Sequence, residues 1–337
     1  MALLVKSFVF EDPVFHDTPT VENEEVSMEF LDQIRSPMQN KIAVIMKSTT
    51  APVKTRVKVI RNDGTEQYEV DVERNPIHWA VNDYGEVLLY GSYESDGSTV
   101  YELILLAATG DIKWAVDVTG IPNVHGVALG TDHAILFYHP TEPNRGMAKF
   151  YSTANGSLEA TVDFGIVGDM RGRYFCSYDG YWGVCYYGGN TTFVSKDGDV
   201  IRHKCGDRVS QPHSADASAS VVGITKGCLI FRTGETVEIG SEDDRVWVAP
   251  SGDCAMLIRE QKIELYSIWP GGYALLTETP FADGQSGCIE ADISYYGKYA
   301  LVLHNTNDVC VYDLKNTTFK DKLHNELASR PVIVCAD

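Results

Sequence analysis

No Cys-x-x-Cys pair occurs in the 337 residues, and all eight cysteines lie after residue 175. That spacing excludes a zinc ribbon and a thioredoxin-type redox motif. Basic charge is scarce as well: 28 Lys and Arg stand against 47 Asp and Glu, a formal net charge of −19. Such a chain repels phosphate backbones and anionic lipid headgroups over about a Debye length, roughly 10 Å. No run of Lys and Arg supplies a local basic patch, so nucleic acid and membrane surface are excluded as first partners.

Long apolar runs are also missing. No segment approaches the roughly 18 apolar residues of a membrane span. The opening MALLVKSFVFEDPVF is broken by Lys6 and ends its apolar stretch at Glu11 and Asp12, too short and too interrupted for a signal peptide. The expectation is a soluble protein of the cytoplasm or another intracellular compartment. Asn155, Asn190 and Asn316 begin Asn-x-Ser/Thr triplets, which without a signal peptide carry no weight.

Recognisable catalytic motifs are absent too. There is no HExxH, Walker loop or EF-hand loop. Gly284-Gln285-Ser286-Gly287 is not a nucleophile elbow, because Cys288 stands where the last glycine is required. Apolar residues at helical spacing are almost nowhere sustained.

What is present is a succession of short strands rich in Val, Ile, Tyr and Phe, each closed by a turn signal, and the class read from them is all-β. Met28 to Arg35, MEFLDQIR, reads as a helical turn as easily as a strand. One series of turns falls at Asn62-Asp63-Gly64, Thr109-Gly110, Asn155-Gly156, Asp197-Gly198, Thr233-Gly234, Gly271-Gly272 and near Asn316, about forty residues apart. A second series lies between them, at Asn82 to Gly85, Gly130 to Asp132, Asp179-Gly180, Ser251-Gly252 and Tyr296-Gly297. Two hairpins per period mean four strands per period.

A four-stranded antiparallel unit of about forty residues, repeated, is a β-propeller blade, because so small a sheet must pack both faces on its neighbours. The periods number seven, so the expected fold is one seven-bladed propeller over residues 1–337, favoured over six or eight blades. Ring closure is assigned to an amino-terminal strand, about 3–10, or a carboxy-terminal one, about 331–336. Cys176 and Cys185 flank the Asp179-Gly180 turn, which leaves open a disulfide or two buried thiols.

The run Thr109-Gly110-Asp111-Ile112-Lys113-Trp114, after the strand YELILLAA, resembles the T-G-x-x-x-W part of the tryptophan-docking repeat of quinoprotein-like propellers. The upstream Ala-x-Asp of that motif is replaced here by Ile104 and Leu106, and NGSLEAT, DGDVIRH and TGETVEI keep the turn without the aromatic. The resemblance implies the propeller superfamily in the loose sense that includes WD-repeat proteins. It does not imply a bound pyrroloquinoline quinone. The Gly-His and Trp-Asp pairs of WD repeats are absent.

Alignment of the blades on the second turn series brings out a column seven residues before the turn: Gln33, His78, His125, Arg173, His213, Arg245 and Glu290. The register is least anchored at Gln33 and at His213, where Ser220 replaces the turn glycine. Every member is polar or ionisable in a strand otherwise apolar. On the innermost strands of a propeller these residues would line the mouth of a central channel. Three readings fit: wet positions without a ligand, a ring for an anionic small molecule or acidic side chain, or a divalent metal site opposed by the two arginines. His133 and His139, six residues apart around ILFY, read as solvated edge histidines. Trp79, Trp182 and Trp247 read as packing residues, and Glu242-Asp243-Asp244 as a solvated loop.

The function expected from this pattern is a non-enzymatic scaffold that binds a protein partner or its own copies, with no cofactor. The alternative is a small-ligand binder or an enzyme acting at the channel mouth, for example on an acidic carbohydrate.

Overall fold

The computed structural model describes residues 6–9, 14–17, 28–140, 145–166, 174–187, 190–204, 215–217, 219–222, 228–241 and 244–324. Every regular element among them is a strand. The chain divides into two compact units, one made mainly of residues 22–202 and the other mainly of 2–21 and 203–337.

The first unit holds four antiparallel sheets, each with its four strands side by side in chain order. They are β3 (Met28–Arg35), β4 (Lys41–Ser48), β5 (Thr55–Arg61) and β6 (Glu66–Val72); β7 (Asn75–Val81), β8 (Val87–Ser95), β9 (Ser98–Leu106) and β10 (Ile112–Asp117); β11 (Val124–Leu129), β12 (His133–Tyr138), β13 (Arg145–Ser152) and β14 (Leu158–Ile166); β15 (Tyr174–Cys176), β16 (Trp182–Tyr187), β17 (Asn190–Ser195) and β18 (Val200–Lys204). The ambiguous MEFLDQIR segment is therefore a strand, paired along its length with β4.

The second unit opens with a two-stranded hairpin of β1 (Lys6–Val9) and β2 (Val14–Asp17). A three-stranded sheet follows, of β19 (Ala219–Val222), β20 (Cys228–Phe231) and β21 (Thr236–Glu238). Two four-stranded sheets complete it: β22 (Arg245–Val248), β23 (Cys254–Arg259), β24 (Lys262–Trp269) and β25 (Gly272–Pro280); β26 (Glu290–Ile293), β27 (Tyr299–Leu303), β28 (Asp308–Asp313) and β29 (Thr318–His324).

Six blades, not seven, are four-stranded among the described residues, which corrects the expected seven-bladed count. The exception is the period at Ala219–Glu238, where three strands of 4, 4 and 3 residues pair among the described residues, and residues 205–214 before it lie outside them. Its turn also differs: the left-handed residue is Ala217, with φ 56°, three positions before the Ser220 used for alignment. A period without its turn glycine therefore gave a correct spacing but a wrong register. Of the two strands proposed to close a ring, β1 pairs with β2, and 331–336 lies outside the described residues.

Both faces of the blades are buried, which explains why their strands read as near-continuous apolar runs. In β8, Val87 and Leu89 join Val57, Val59 and Ile104 in one core, while Leu88 and Tyr90 point the other way and join Leu103, Val127 and Leu136 in the next. Each such side chain contributes about 1.5–3 kcal/mol by leaving water. One strand therefore serves two cores through nothing more than its period of two.

Trp114 shows what the tryptophan-docking resemblance means physically. It lies on β10, is buried, and donates its indole N–H to the Thr153 carbonyl at 3.0 Å. Gly156, at φ +74°, forms the floor beneath the ring, and a Cβ there would lie 2.9 Å from Trp114. Tyr68 repeats the arrangement one blade earlier, four residues after Gly64 as Trp114 is four after Gly110. A Cβ on Gly110 would meet the Tyr68 ring at 2.9 Å, and the Tyr68 hydroxyl donates to the Gly85 carbonyl at 3.0 Å. The turn glycines thus accept the aromatic of the preceding blade as well as making the turn.

Cys176 and Cys185 are not joined in a disulfide and are both buried in one core. In the hairpin Cys176 opposes Gly183 and Cys185 opposes Tyr174, so a two-residue offset separates them.

Candidate functional site

Each described member of the polar column lies on the first strand of its sheet: Gln33 on β3, His78 on β7, His125 on β11, Arg245 on β22 and Glu290 on β26. Within the first unit β7 packs beside β3 and β11, and β11 beside β15; within the second, β22 packs beside β19 and β26. Apart from β19, which follows the Ala217 turn as β8 follows Gly85, these are first strands against first strands, the relationship expected of innermost strands. Arg173 and His213 lie outside the described residues.

Two of the ionisable members, His78 and Arg245, reach from one sheet to the next. His78 hydrogen-bonds the backbone of Val124, the residue before His125. Arg245 donates to the carbonyl of Ile289, the residue before Glu290. Asp32 accepts the indole N–H of Trp79, the residue after His78, at 3.2 Å. The turn here carries no glycine to mark its left-handed residue, which is Gln39 at φ 63°, and seven positions back from it is Asp32, one before the expected Gln33. These side chains thus tie neighbouring first strands together.

Electrostatics follow burial. His78 is held below its ordinary pKa because burial penalises the imidazolium, an effect partly opposed by the Val124 backbone, and its ring stacks on Tyr90 at 5.9 Å. The Cys288 thiol is pushed up to about 12, chiefly by burial and further by Glu290, with Arg245 pulling the other way. Among the described residues no three His, Cys, Asp or Glu side chains converge to hold a metal ion.

His125 meets a partner the sequence did not indicate. Its Nε2 lies 2.5 Å from Nδ1 of His139, with the rings nearly parallel, 17° apart, and their centroids separated by 4.5 Å. A β-bulge brings this about: Val124 pairs with Tyr138 and Gly126 with Phe137, which leaves His125 as the extra residue. His139 donates its backbone N–H to the Asn123 carbonyl, while the Asn123 side-chain amide donates to the His139 carbonyl. Residues 141–144 after it lie outside the described residues.

A second surface stands out in the other unit. β25 is the terminal strand of its sheet, with its backbone ladder made to β24 alone among the described residues, while the Thr277 hydroxyl donates to the Leu314 carbonyl at 2.9 Å. It exposes Tyr273 (42 %), Leu275 (49 %) and Leu276 (54 %), and Trp269 at the end of β24 is 45 % exposed beside them. Leu276 sits in a bulge between the pairs Leu265–Thr277 and Tyr266–Leu275. The outer strands β6, β10 and β29 instead carry Glu66, Glu69 and Asp71, Lys113 and Asp117, and Lys320, Asp321 and Lys322. The sole charge on β25, Glu278, is neutralised by Lys262 at 2.6 Å. Natural edges are usually protected by charge, and this one is not.

No protein-family model matches the chain, and no curated protein matches it in sequence. Solved structures do match in three dimensions. A eukaryotic initiation factor superposes with a TM-score of 0.53 at 11 % identity, covering 96 % of this chain and 97 % of its own. The C-terminal WD40 domain of Sif2 superposes with a TM-score of 0.52 at 14 % identity, covering 87 % of this chain and 84 % of its own. The fold is thus that of a β-propeller, with WD40 propeller domains among its structural neighbours. The similarity lies in backbone architecture, since the Gly-His and Trp-Asp pairs are absent. No helix among the described residues is long and apolar enough to cross a membrane.

Proposed function

We propose that the chain is a non-enzymatic interaction module that binds an extended, apolar segment of a partner protein along β25. The carrying observation is the uncharged, exposed outer edge made by Trp269, Tyr273, Leu275 and Leu276. A terminal strand presents a row of backbone donors and acceptors, and another strand is the partner that satisfies them all at once. The occupant is a partner rather than a second copy because two chains of net charge −19 repel each other, while the edge itself carries no net charge. WD40 propeller domains among the structural neighbours support an interaction role, and they support it at the level of the fold only.

The test is crosslinking and affinity capture from the native source with the full chain and with its Leu275→Glu/Leu276→Glu variant. A partner held by the wild type and lost by the variant, with thermal stability unchanged, is the expected result. Capture that survives the double substitution would place the docking surface elsewhere. Dimerisation of the isolated chain, abolished by the same change, would replace the partner with a second copy.

A further inference from the structure

We infer that His125 and His139 form a two-imidazole site for a divalent transition-metal ion of the Cu²⁺ and Zn²⁺ class. Three observations carry it, and none depends on the interaction reading. The two ring nitrogens face each other at 2.5 Å from neighbouring strands. The bulge at His125 aims the first ring, and the paired hydrogen bonds between Asn123 and His139 fix the backbone that carries the second. Both side chains are half-buried, so an ion from solvent reaches them without unfolding the blade.

Two nitrogens placed in this way can share a proton or share a metal ion. The metal requires only that the nitrogens separate to about 3.3 Å, the span of two imidazoles on a tetrahedral ion with bonds of about 2.0–2.1 Å. A small rotation of either ring supplies that change. Imidazole is a ligand of borderline softness, and affinity along the first transition row peaks at Cu²⁺, with Zn²⁺ also well suited. Two protein ligands leave positions open for water or for a donor from a bound molecule.

The experiment titrates the full chain with Cu²⁺, and separately with Zn²⁺, at pH 7.5 by calorimetry. The wild type is expected to take up one equivalent at this site, and His125→Ala and His139→Ala are each expected to weaken that uptake at least tenfold. His133→Ala, a change at another histidine of the same blade, should leave it intact. The Cu²⁺ electron paramagnetic spectrum should show two equatorial nitrogens in the wild type and one in either variant. Should His125→Ala fail to fold, His139→Gln decides alone, because His139 lies beyond the end of β12. Unchanged uptake in the His139 variant, or no uptake by the wild type, overturns the assignment. In the second case the pair shares a proton only, and the melting temperature does not respond to metal.

Discussion

Arg245 reaches across from β22 to the carbonyl of Ile289, the residue that precedes Glu290 on β26. His78 makes the same reach from β7 to Val124, the residue that precedes His125 on β11. Two positions aligned only by their distance from a turn thus bond to equivalent places on the next sheet. Arg245→Met removes the reach while keeping the apolar stem. Because Arg245 is exposed, the expected loss is about 0.5–1 kcal/mol, the low side of the usual net size of one hydrogen bond, read as a lower urea midpoint with an unchanged m-value. Iodoacetamide labelling of Cys288 should slow in the same variant, because Arg245 opposes the rise of that thiol's pKa.

Trp114 should be among the most sensitive positions in the first unit. Trp114→Ala is expected to cost about 3–5 kcal/mol, the range for emptying a buried aromatic site. Trp114→Phe keeps most of the packing but strands the Thr153 carbonyl, and its cost should be nearer 1–2 kcal/mol, by the usual size of an unmet hydrogen bond. Gly156→Ala should also destabilise, since the new methyl meets the indole and the backbone is left-handed there. Chemical denaturation of the three variants checks the order.

Acid should weaken the second unit through His304. The ring is fully buried, with Nδ1 at 2.8 Å from the Gly287 carbonyl and Nε2 at 2.8 Å from the Tyr312 hydroxyl. Nδ1 therefore carries the proton and donates, and Nε2 accepts from Tyr312. Burial holds the folded pKa of His304 below its ordinary value, despite opposing effects of Gly287 and Asp308. The unfolded chain then binds more protons, so this contribution to stability is present above about pH 6.5 and is lost as pH falls below it. Melting temperatures from pH 8 to pH 5 should decline more steeply in the wild type than in His304→Gln.

The apolar edge should be dispensable for folding. Leu275→Lys and Leu276→Lys are expected to change stability by less than about 0.5 kcal/mol, as exposed substitutions do, and to raise solubility. Light scattering during concentration of the purified chain measures the second effect.

The thiols of Cys176 and Cys185 should resist alkylation until the chain unfolds, because burial pushes both pKa values far up. Peptide mapping after a brief iodoacetamide pulse should find both unmodified and unlinked. Reducing agent should leave the melting temperature unchanged.

Turn spacing and β-branched runs determined the class, the four-stranded period and the tryptophan-docking turn, because each depends on residues close together in the chain. The sequence also carried the evidence for Tyr68, whose place four residues after Gly64 matches Trp114, though an alignment seeking tryptophan passed over it. Where a turn lost its glycine, local spacing no longer set the register: Ala217 rather than Ser220 is the left-handed residue, and the described residues hold six four-stranded sheets where seven were expected. Tertiary structure alone decided which partners the polar column met. Asp32 and Trp79 are 47 residues apart in the chain, and Arg245 and Ile289 are 44 apart, about one blade in each case; turn spacing makes their strands neighbours but does not say which side chains meet. His125 and His139 lie only 14 apart, yet a bulge turned one of them toward the other. A single inserted residue changes the direction of a side chain without changing the pattern of apolar residues around it, and that is why the pair could be seen only in the folded chain.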